Sequence, residues 1–381
     1  MNIIILDPFS AVPQYTLPLC EALSKKVSKV ILIGNNNLKT ENEEEGGNLK
    51  NIPFLHPILD NPLPKKLYIL QNLVRVIMYP FALIRLYFLV INHKIDVIHF
   101  QWSYIPILEG LFVFFLKDKC KFIYTIHNST QNHGEKNIIK DFLNIGFTFF
   151  LKKLNKVIVH TNYSKKVIAK KFLTLSNKIE VVPHGLNTFI KENLKYQSQA
   201  NSSRVKILFF GQISYYKGVD VLIKSLKFLT SDLFEVHICG RPEISIENLK
   251  NLAKSEGVVD KLFFKIRYLS DQEVDKLFFE SDIIVFPYRH IDQSSVLMGS
   301  LSYGKSIVAS NVGGFAEILK HNSNALLFDS EDESQLGNLL DKLVSSKEMR
   351  KKLGKASLAL YDNWPSWENI ATETVSIYRK G

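Results

Sequence analysis

IIVFPYRHIDQSSVLMGSLSYGKSIVASNVGGFAEI, residues 283–318, decides how this chain folds. Ile283–Phe286 is a short, β-rich apolar run stopped by Pro287, the pattern of a strand covered on both faces in a parallel sheet. A polar loop follows, and Ser294 and Ser295 stand where they would cap a helix running to about Tyr303. Ser306–Ala309 repeats the strand pattern, and Val312-Gly313-Gly314 turns the chain into another helix. This is the order of a doubly wound α/β sheet, whose strand-end loops and helix N-termini offer amides to a ligand such as a phosphate. A serine before an apolar run is about as often a plain helix cap.

Outward from this stretch the alternation continues in both directions, which predicts two parallel sheets. Strands are expected at Asn2–Leu6, Val30–Gly34, Val97–Phe100, Phe122–Ile126, Val157–His160 and Glu180–Val182. A second set is expected at Val205–Phe210, Val236–Cys239, Lys261–Ile266, Ile283–Phe286 and Ser306–Ala309, with a helix over Val219–Leu229. Residues 188–204, including KENLKYQSQANSSR, are polar and aperiodic, as a linker is. The reading is therefore a first domain over 1–187, a linker over 188–204 and a second domain over 205–364. A last helix over 365–381 starts at Pro365 and is expected to pack against the body of the protein. Asn35–Gly47, with its NNN, EEE and GG, reads as a mobile surface loop.

With 381 residues, 46% hydrophobic and 22% charged, the chain suits two globular domains and excludes a disordered one. Cys20, Cys120 and Cys239 are odd in number and far apart, without metal-ligand spacing, which fits a reducing cytoplasm. Ile3–Leu6 has no basic leader and is cut by Asp7 and Pro8, so it reads as a strand and not as a secretory signal. Leu73–Ile91 approaches a membrane span but contains Arg75, Arg85 and Pro80, and is not read as one. The net charge of +11 is confined to residues 1–200, with 25 Lys and Arg against 14 Asp and Glu, whereas residues 201–381 hold 23 of each. A basic half that also carries the Arg-dotted apolar stretch Leu67–Leu89 points to an anionic membrane surface or a lipid-linked, phosphorylated substrate. The bland alternative is a solvated basic face over a buried helix. Nucleic acid is not expected, because no nucleic-acid-binding motif accompanies the charge.

The motifs DPFSAVPQYTLPLCEAL, DVIHFQW, YTIHN, VIVHTNYSKK, VVPHGL, ILFFGQISYYKGVDVLIKSL, VHICGRP, YRHIDQSSVL and VGGFAEI follow in order along nearly the whole chain. In that order the chain resembles the retaining nucleotide-sugar glycosyltransferases of family 4. The resemblance implies the GT-B fold: two Rossmann-like doubly wound domains facing across a cleft, with the C-terminal helix packed back on the N-terminal domain. It implies transfer of a sugar from a nucleoside-diphosphate-sugar donor to a polysaccharide or lipid-linked acceptor, with no cofactor; the place expected is the cytoplasm, with peripheral contact at the inner face of the cell membrane as the option the basic first half leaves open. No Asp-x-Asp stands at a strand end, in keeping with a metal-independent transfer.

The resemblance also assigns residues. Lys217, just before Gly218, would neutralise the donor phosphates, with Gly211 letting the backbone approach and Gln212, Gly240 and Arg241 nearby. His127 would meet the donor sugar, with Asn128 orienting it, while His184 resembles an interdomain hinge and His99 and His160 read as structural. Gln293, Ser294, Ser295 and Val296 would line the phosphate, and Tyr268 and Leu269 the nucleoside. The sequence departs from the family at its paired glutamates, where His290 and Met298 stand instead, and at a glycine replaced by Ser295. At the N-terminus a Gly-Gly loop is replaced by Phe9–Tyr15, in which Pro13, Gln14 and Tyr15 are expected to serve the ligand. The missing carboxylates leave a second reading open, a GT-B partner protein that has lost transfer.

Overall fold

The computed structural model describes residues 1–35, 47–55, 68–128, 138–186 and 204–380. It contains two compact units, Met1–Gly185 with Pro365–Gly381, and Leu186–Trp364. All of the expected linker 188–204 but its last residue, and most of the expected loop Asn35–Gly47, lie outside the described residues.

In the first unit the chain runs β1 (Asn2–Leu6), α1 (Pro13–Ser24), β2 (Lys29–Gly34), β3 (Leu49–Pro53), α2 (Tyr68–Asn92), β4 (Val97–Phe100), α3 (Pro106–Leu116), β5 (Lys121–Thr125), α4 (Ile138–Lys153), β6 (Lys156–Val159), α5 (Asn162–Lys171) and β7 (Ile179–Val181). All the strands are parallel, in the order β3-β2-β1-β4-β5-β6-β7. Two cores flank this sheet, and β1 shows why. Ile3 and Ile5 join one core and Ile4 and Leu6 the other, so an unbroken run of isoleucines is what a strand with two buried faces requires. Each such side chain contributes about 2–3 kcal/mol of transfer free energy.

The second unit runs β8 (Val205–Phe210), α6 (Val219–Ser225), β9 (Phe234–Cys239), α7 (Ile246–Ser255), β10 (Leu262–Lys265), α8 (Asp271–Glu280), β11 (Ile283–Phe286), α9 (Ser295–Ser300), β12 (Ser306–Ser310), α10 (Gly313–Ile318), β13 (Leu326–Phe328), α11 (Glu333–Ser345) and α12 (Lys347–Asp362). Its sheet is parallel too, ordered β10-β9-β8-β11-β12-β13 around one apolar core. The final helix, α13 (Trp367–Lys380), returns to the first unit and packs on α1. Ile370, Val375 and Tyr378 enter the core with Ile3 and Ile5, and Lys121 Nζ donates to the carbonyls of Tyr378 (3.1 Å) and Arg379 (3.0 Å), closing the last turn.

Two edge strands, β3 and β13, were not expected from the sequence. LKNIP carries polar residues and a proline, which only an edge tolerates, and LLF is three residues long. The helix expected over residues 294–303 is α9 followed by a 3₁₀ turn, Leu301–Tyr303, and the one over 219–229 likewise ends in a 3₁₀ turn at Leu226–Phe228.

Candidate functional site

Strand order reverses between β8 and β11 in the second unit and between β1 and β4 in the first. The loops leaving those strands must part in opposite directions, which opens a crevice at the carboxyl edge of each sheet. The candidate residues cluster on these loops.

In the second unit, β8 is followed by Gly211 and β9 by Gly240, both at positive φ. A Cβ on Gly240 would lie 1.9 Å from Gly211 O, so the two strand ends meet as only glycine allows. The chain then makes a tight turn, Tyr215–Lys217, closed by Gly218 in the left-handed region. This turn folds the Lys217 side chain back over Gly211, where Nζ would sit 2.8 Å from a Cβ. Lys217 is 7% exposed and has no ion pair among the described residues. Burial lowers its pKa, opposed by Tyr216 and Glu243, while the Tyr288 ring, 5.1 Å from Nζ, supports the charge. A buried ammonium without a carboxylate is costly to hold, and an anion placed against it relieves that cost. Nearby polar atoms are also unsatisfied. Among the described residues, both amide atoms of Gln293 have no hydrogen-bond partner, and Ser214 Oγ, close to Tyr216, and Tyr288 OH, close to Ser294, make no hydrogen bond of normal geometry.

What fixes the turn was not foreseen from the sequence. Arg289 forks onto Asp220 (2.7 and 3.0 Å), reaches Glu331 (2.9 Å) and Tyr215 O (2.6 Å), and lies over the Tyr215 ring. Its amide also donates to Tyr216 O (2.7 Å), so the β11–α9 loop clamps the turn that carries Lys217.

The other expected residues divide. Ser294 is a helix cap, its Oγ accepting from Leu297 N (3.2 Å), and Ser295 is exposed at the first turn of α9. Val296 packs on the core, and Leu269 is buried within it, leaving only its backbone for a ligand. Tyr268 is 80% exposed, and Gln212 and Arg241 are exposed as well. His290 lies against Tyr216, ring centroids 5.3 Å apart. Met298 is fully buried in the apolar core and reads no ligand. Gly314 of the expected Gly-turn donates to Ile291 O (3.0 Å), bracing the β11–α9 loop.

In the first unit the N-terminal loop departs from expectation. Helix α1 begins at Pro13, so Pro13, Gln14 and Tyr15 form its first turn and not a loop. The loop itself wraps around buried Asp7, which accepts from Ala11 N (2.8 Å), Val12 N (3.3 Å) and Thr16 Oγ1 (3.0 Å). Gln14 is exposed, but Tyr15 is buried, because its ring fills the space among His127, His160, His184 and Trp367, at 4.9, 4.9, 5.1 and 5.3 Å. Its hydroxyl has no hydrogen-bond partner among the described residues, and burial raises its pKa.

His127 leaves the end of β5 half-buried, with Asn128 exposed beside it. Its Nε2 is 3.1 Å from Gln101 Oε1 and its Nδ1 3.0 Å from His160 Nε2, while His160 Nδ1 is 3.0 Å from Val182 O. A carbonyl only accepts, so His160 Nδ1–H donates to Val182 O and, neutral, leaves Nε2 as an acceptor for His127 Nδ1–H. His127 Nε2 is then an acceptor too, which the Gln101 amide satisfies when its NH₂ faces the ring. Burial, then the neighbouring histidines, holds His127 well below the usual imidazole range, and burial pushes His160 down to about 3 and His184 to about 4. His99 is buried between Tyr378 OH (2.6 Å) and Thr125 Oγ1 (2.7 Å). His184 therefore packs inside the first unit, its ring 5.1 Å from that of His160.

Two Rossmann-like parallel sheets, each with its polar loops at a reversal of strand order, define a GT-B fold. Residues 12–188 match the model of Glycosyltransferase Family 4, and residues 190–359 match that of Glycosyl transferases group 1. The chain belongs to this glycosyltransferase family. An uncharacterised glycosyltransferase of Methanocaldococcus jannaschii is 27% identical over 235 residues, 59% of this chain and 60% of that protein, so the match spans less than two thirds of this relative. An uncharacterised 41.2 kDa protein in the cps region of Klebsiella pneumoniae is 25% identical over 257 residues, 65% of this chain and 69% of its own length. Among solved structures, Anabaena HepE in complex with UDP superposes with a TM-score of 0.72 at 14% identity, covering 100% of both chains.

Proposed function

We propose that this chain transfers a sugar from a nucleoside-diphosphate-sugar donor to a polysaccharide or lipid-linked oligosaccharide acceptor, with retention of anomeric configuration and without a metal ion. One observation carries the reading: the buried Lys217 ammonium has no carboxylate partner among the described residues and lies over Gly211 at the strand-order reversal of the second sheet. A diphosphate is the anion such a position suits, because its charge grows as the sugar leaves. The relative in a cps region and the neighbour bound to UDP support polysaccharide synthesis and a nucleotide donor. The described site offers no evident enzymic nucleophile. The acceptor oxygen therefore attacks the anomeric carbon from the face the phosphate leaves, the carbon–oxygen bond to phosphate breaks, and the acceptor proton passes to the departing phosphate. Gln293, His290, the α9 residues Ser295 and Val296, and exposed Tyr268 complete the donor side, and His127 and Asn128 serve the sugar and acceptor. The place of action is the cytoplasmic face of the membrane, where the basic first half meets lipid-linked substrates.

The test is calorimetric titration of the full chain with UDP, GDP, ADP, CMP and dTDP, then with the sugar conjugates of whichever binds. Micromolar binding of one nucleotide, weakened about 100-fold or more by Lys217→Met, is the expected result. The partner-protein reading rests on Met298 being core and His290 lying on Tyr216, which leave the family's carboxylate positions without an acid. No nucleotide binding at millimolar concentration, alone or with acceptor, selects that reading.

A further inference from the structure

We infer that α2 is an in-plane anchor on an anionic lipid surface. Leu70, Leu73, Ile77, Phe81, Ile84, Phe88 and Ile91 recur every three or four residues and are all exposed, Ile77 at 63% and Phe81 at 61%. They form an unbroken apolar stripe of about 32 Å at 1.5 Å per residue. A soluble surface seldom leaves so long an apolar row uncovered. The adjacent helix α3 extends it with Leu111, Phe114 and Phe115, the last 72% exposed.

The length of α2 would also permit a span, but its opposite face excludes that. Tyr79, Ala82, Leu83, Leu86 and Val90 are buried in the core with Phe54, Ile98 and Phe100 of the sheet region. Tyr79 OH donates to buried Glu109, tying α2 to α3. A helix with one face in the protein core can give only its other face to hydrocarbon, so it lies along the surface, with the protein in place of the polar face of an amphipathic helix.

Charge selects the occupant. No acidic residue lies on α2, and its two charges are Arg75, over the Phe9 ring, and Arg85, donating to Pro53 O (2.6 Å). At the α3 end, Lys117 and Lys153 hold their ammonium groups 5.5 and 5.0 Å from the Phe114 ring, and both are exposed, as is Lys152. A second copy of the chain would set these cations against one another, whereas anionic headgroups pair with them. Asp118 is the exposed carboxylate beside Lys117 and is outnumbered.

The inference rests on the membrane location proposed above but not on sugar transfer, so lipid binding and nucleotide binding fail separately. The full chain is sedimented with vesicles of phosphatidylcholine alone and of phosphatidylcholine mixed equally with phosphatidylglycerol. Binding to the mixed vesicles, at least about tenfold weaker to the neutral ones and in Phe81→Glu/Phe88→Glu, is the expected result. Circular dichroism of the double variant reads its fold. Independently, Phe88→Trp on mixed vesicles should show quenching by brominated acyl chains. No sedimentation, equal sedimentation of the double variant, an unquenched Trp, or a lipid-free dimer that the double variant splits would each overturn the inference.

Discussion

Acid should unfold the first unit through its buried histidines, and the size of the effect follows from where they sit. His99 and His160 are pushed down to about 3 and His184 to about 4 by burial, with His127 lowered in the same sense. An imidazole in the unfolded chain titrates near 6.5, so below that pH the unfolded state takes up protons that the folded state refuses. The stability these groups contribute is full above pH 6.5 and declines as the pH falls toward 4. Between pH 7 and pH 5 each costs about 2 kcal/mol, and the three together about 6 kcal/mol, comparable to a whole domain's margin of about 5–15 kcal/mol. Asp7, Glu109 and Glu373, whose carboxyls burial raises, act in the opposite direction. Comparison with His99→Gln cancels them, since both proteins share those acids. The assay is urea unfolding at pH 7, 6 and 5, followed by tryptophan fluorescence in a Trp364→Phe background that leaves Trp102 and Trp367 in the first unit. The parent should lose several kcal/mol on acidification, and His99→Gln about 2 kcal/mol less. Equal stability at pH 5 and pH 7, or a variant with the parent's pH dependence, would refute the reasoning.

Other substitutions probe single contacts. Gly218→Ala would place a Cβ 1.9 Å from Pro287 O at a φ of +65°, and should destabilise the second unit by about 3 kcal/mol in urea titration. A loss below about 1 kcal/mol would mean that the β11 loop yields freely. Tyr15→Phe removes a buried hydroxyl that has no partner among the described residues, so it should be neutral or stabilising by about 1 kcal/mol. A marked loss of stability would reveal a bond to that hydroxyl which the present geometry lacks.

The sequence told most where buried strands were concerned and least about edges and long-range polar contacts. Ile3–Leu6 and Ile283–Phe286 were legible because two buried faces demand an unbroken apolar run. LKNIP was not, because an edge strand needs only half of that pattern. The turn carrying Lys217 was legible from a strand end, two glycines and a lysine within eight residues. The Arg289 fork onto Asp220 spans 69 positions and the His99–Tyr378 bond 279, and nothing local announces either. Tyr15 was expected in a loop although Pro13 already marked a helix start, and the apolar spacing of Leu297, Met298 and Leu301 already pointed Met298 inward.

The return of α13 to the first unit bears on how the protein is made. During synthesis the helix that covers Ile3 and Ile5 emerges from the ribosome more than 360 residues after β1. The second unit, whose residues lie together in sequence, has everything it needs before then and should fold first. The first unit must meanwhile wait with an apolar sheet face and α1 uncovered. That interval is when the nascent chain is most exposed to misassociation, and when a chaperone that shields apolar surface would matter most.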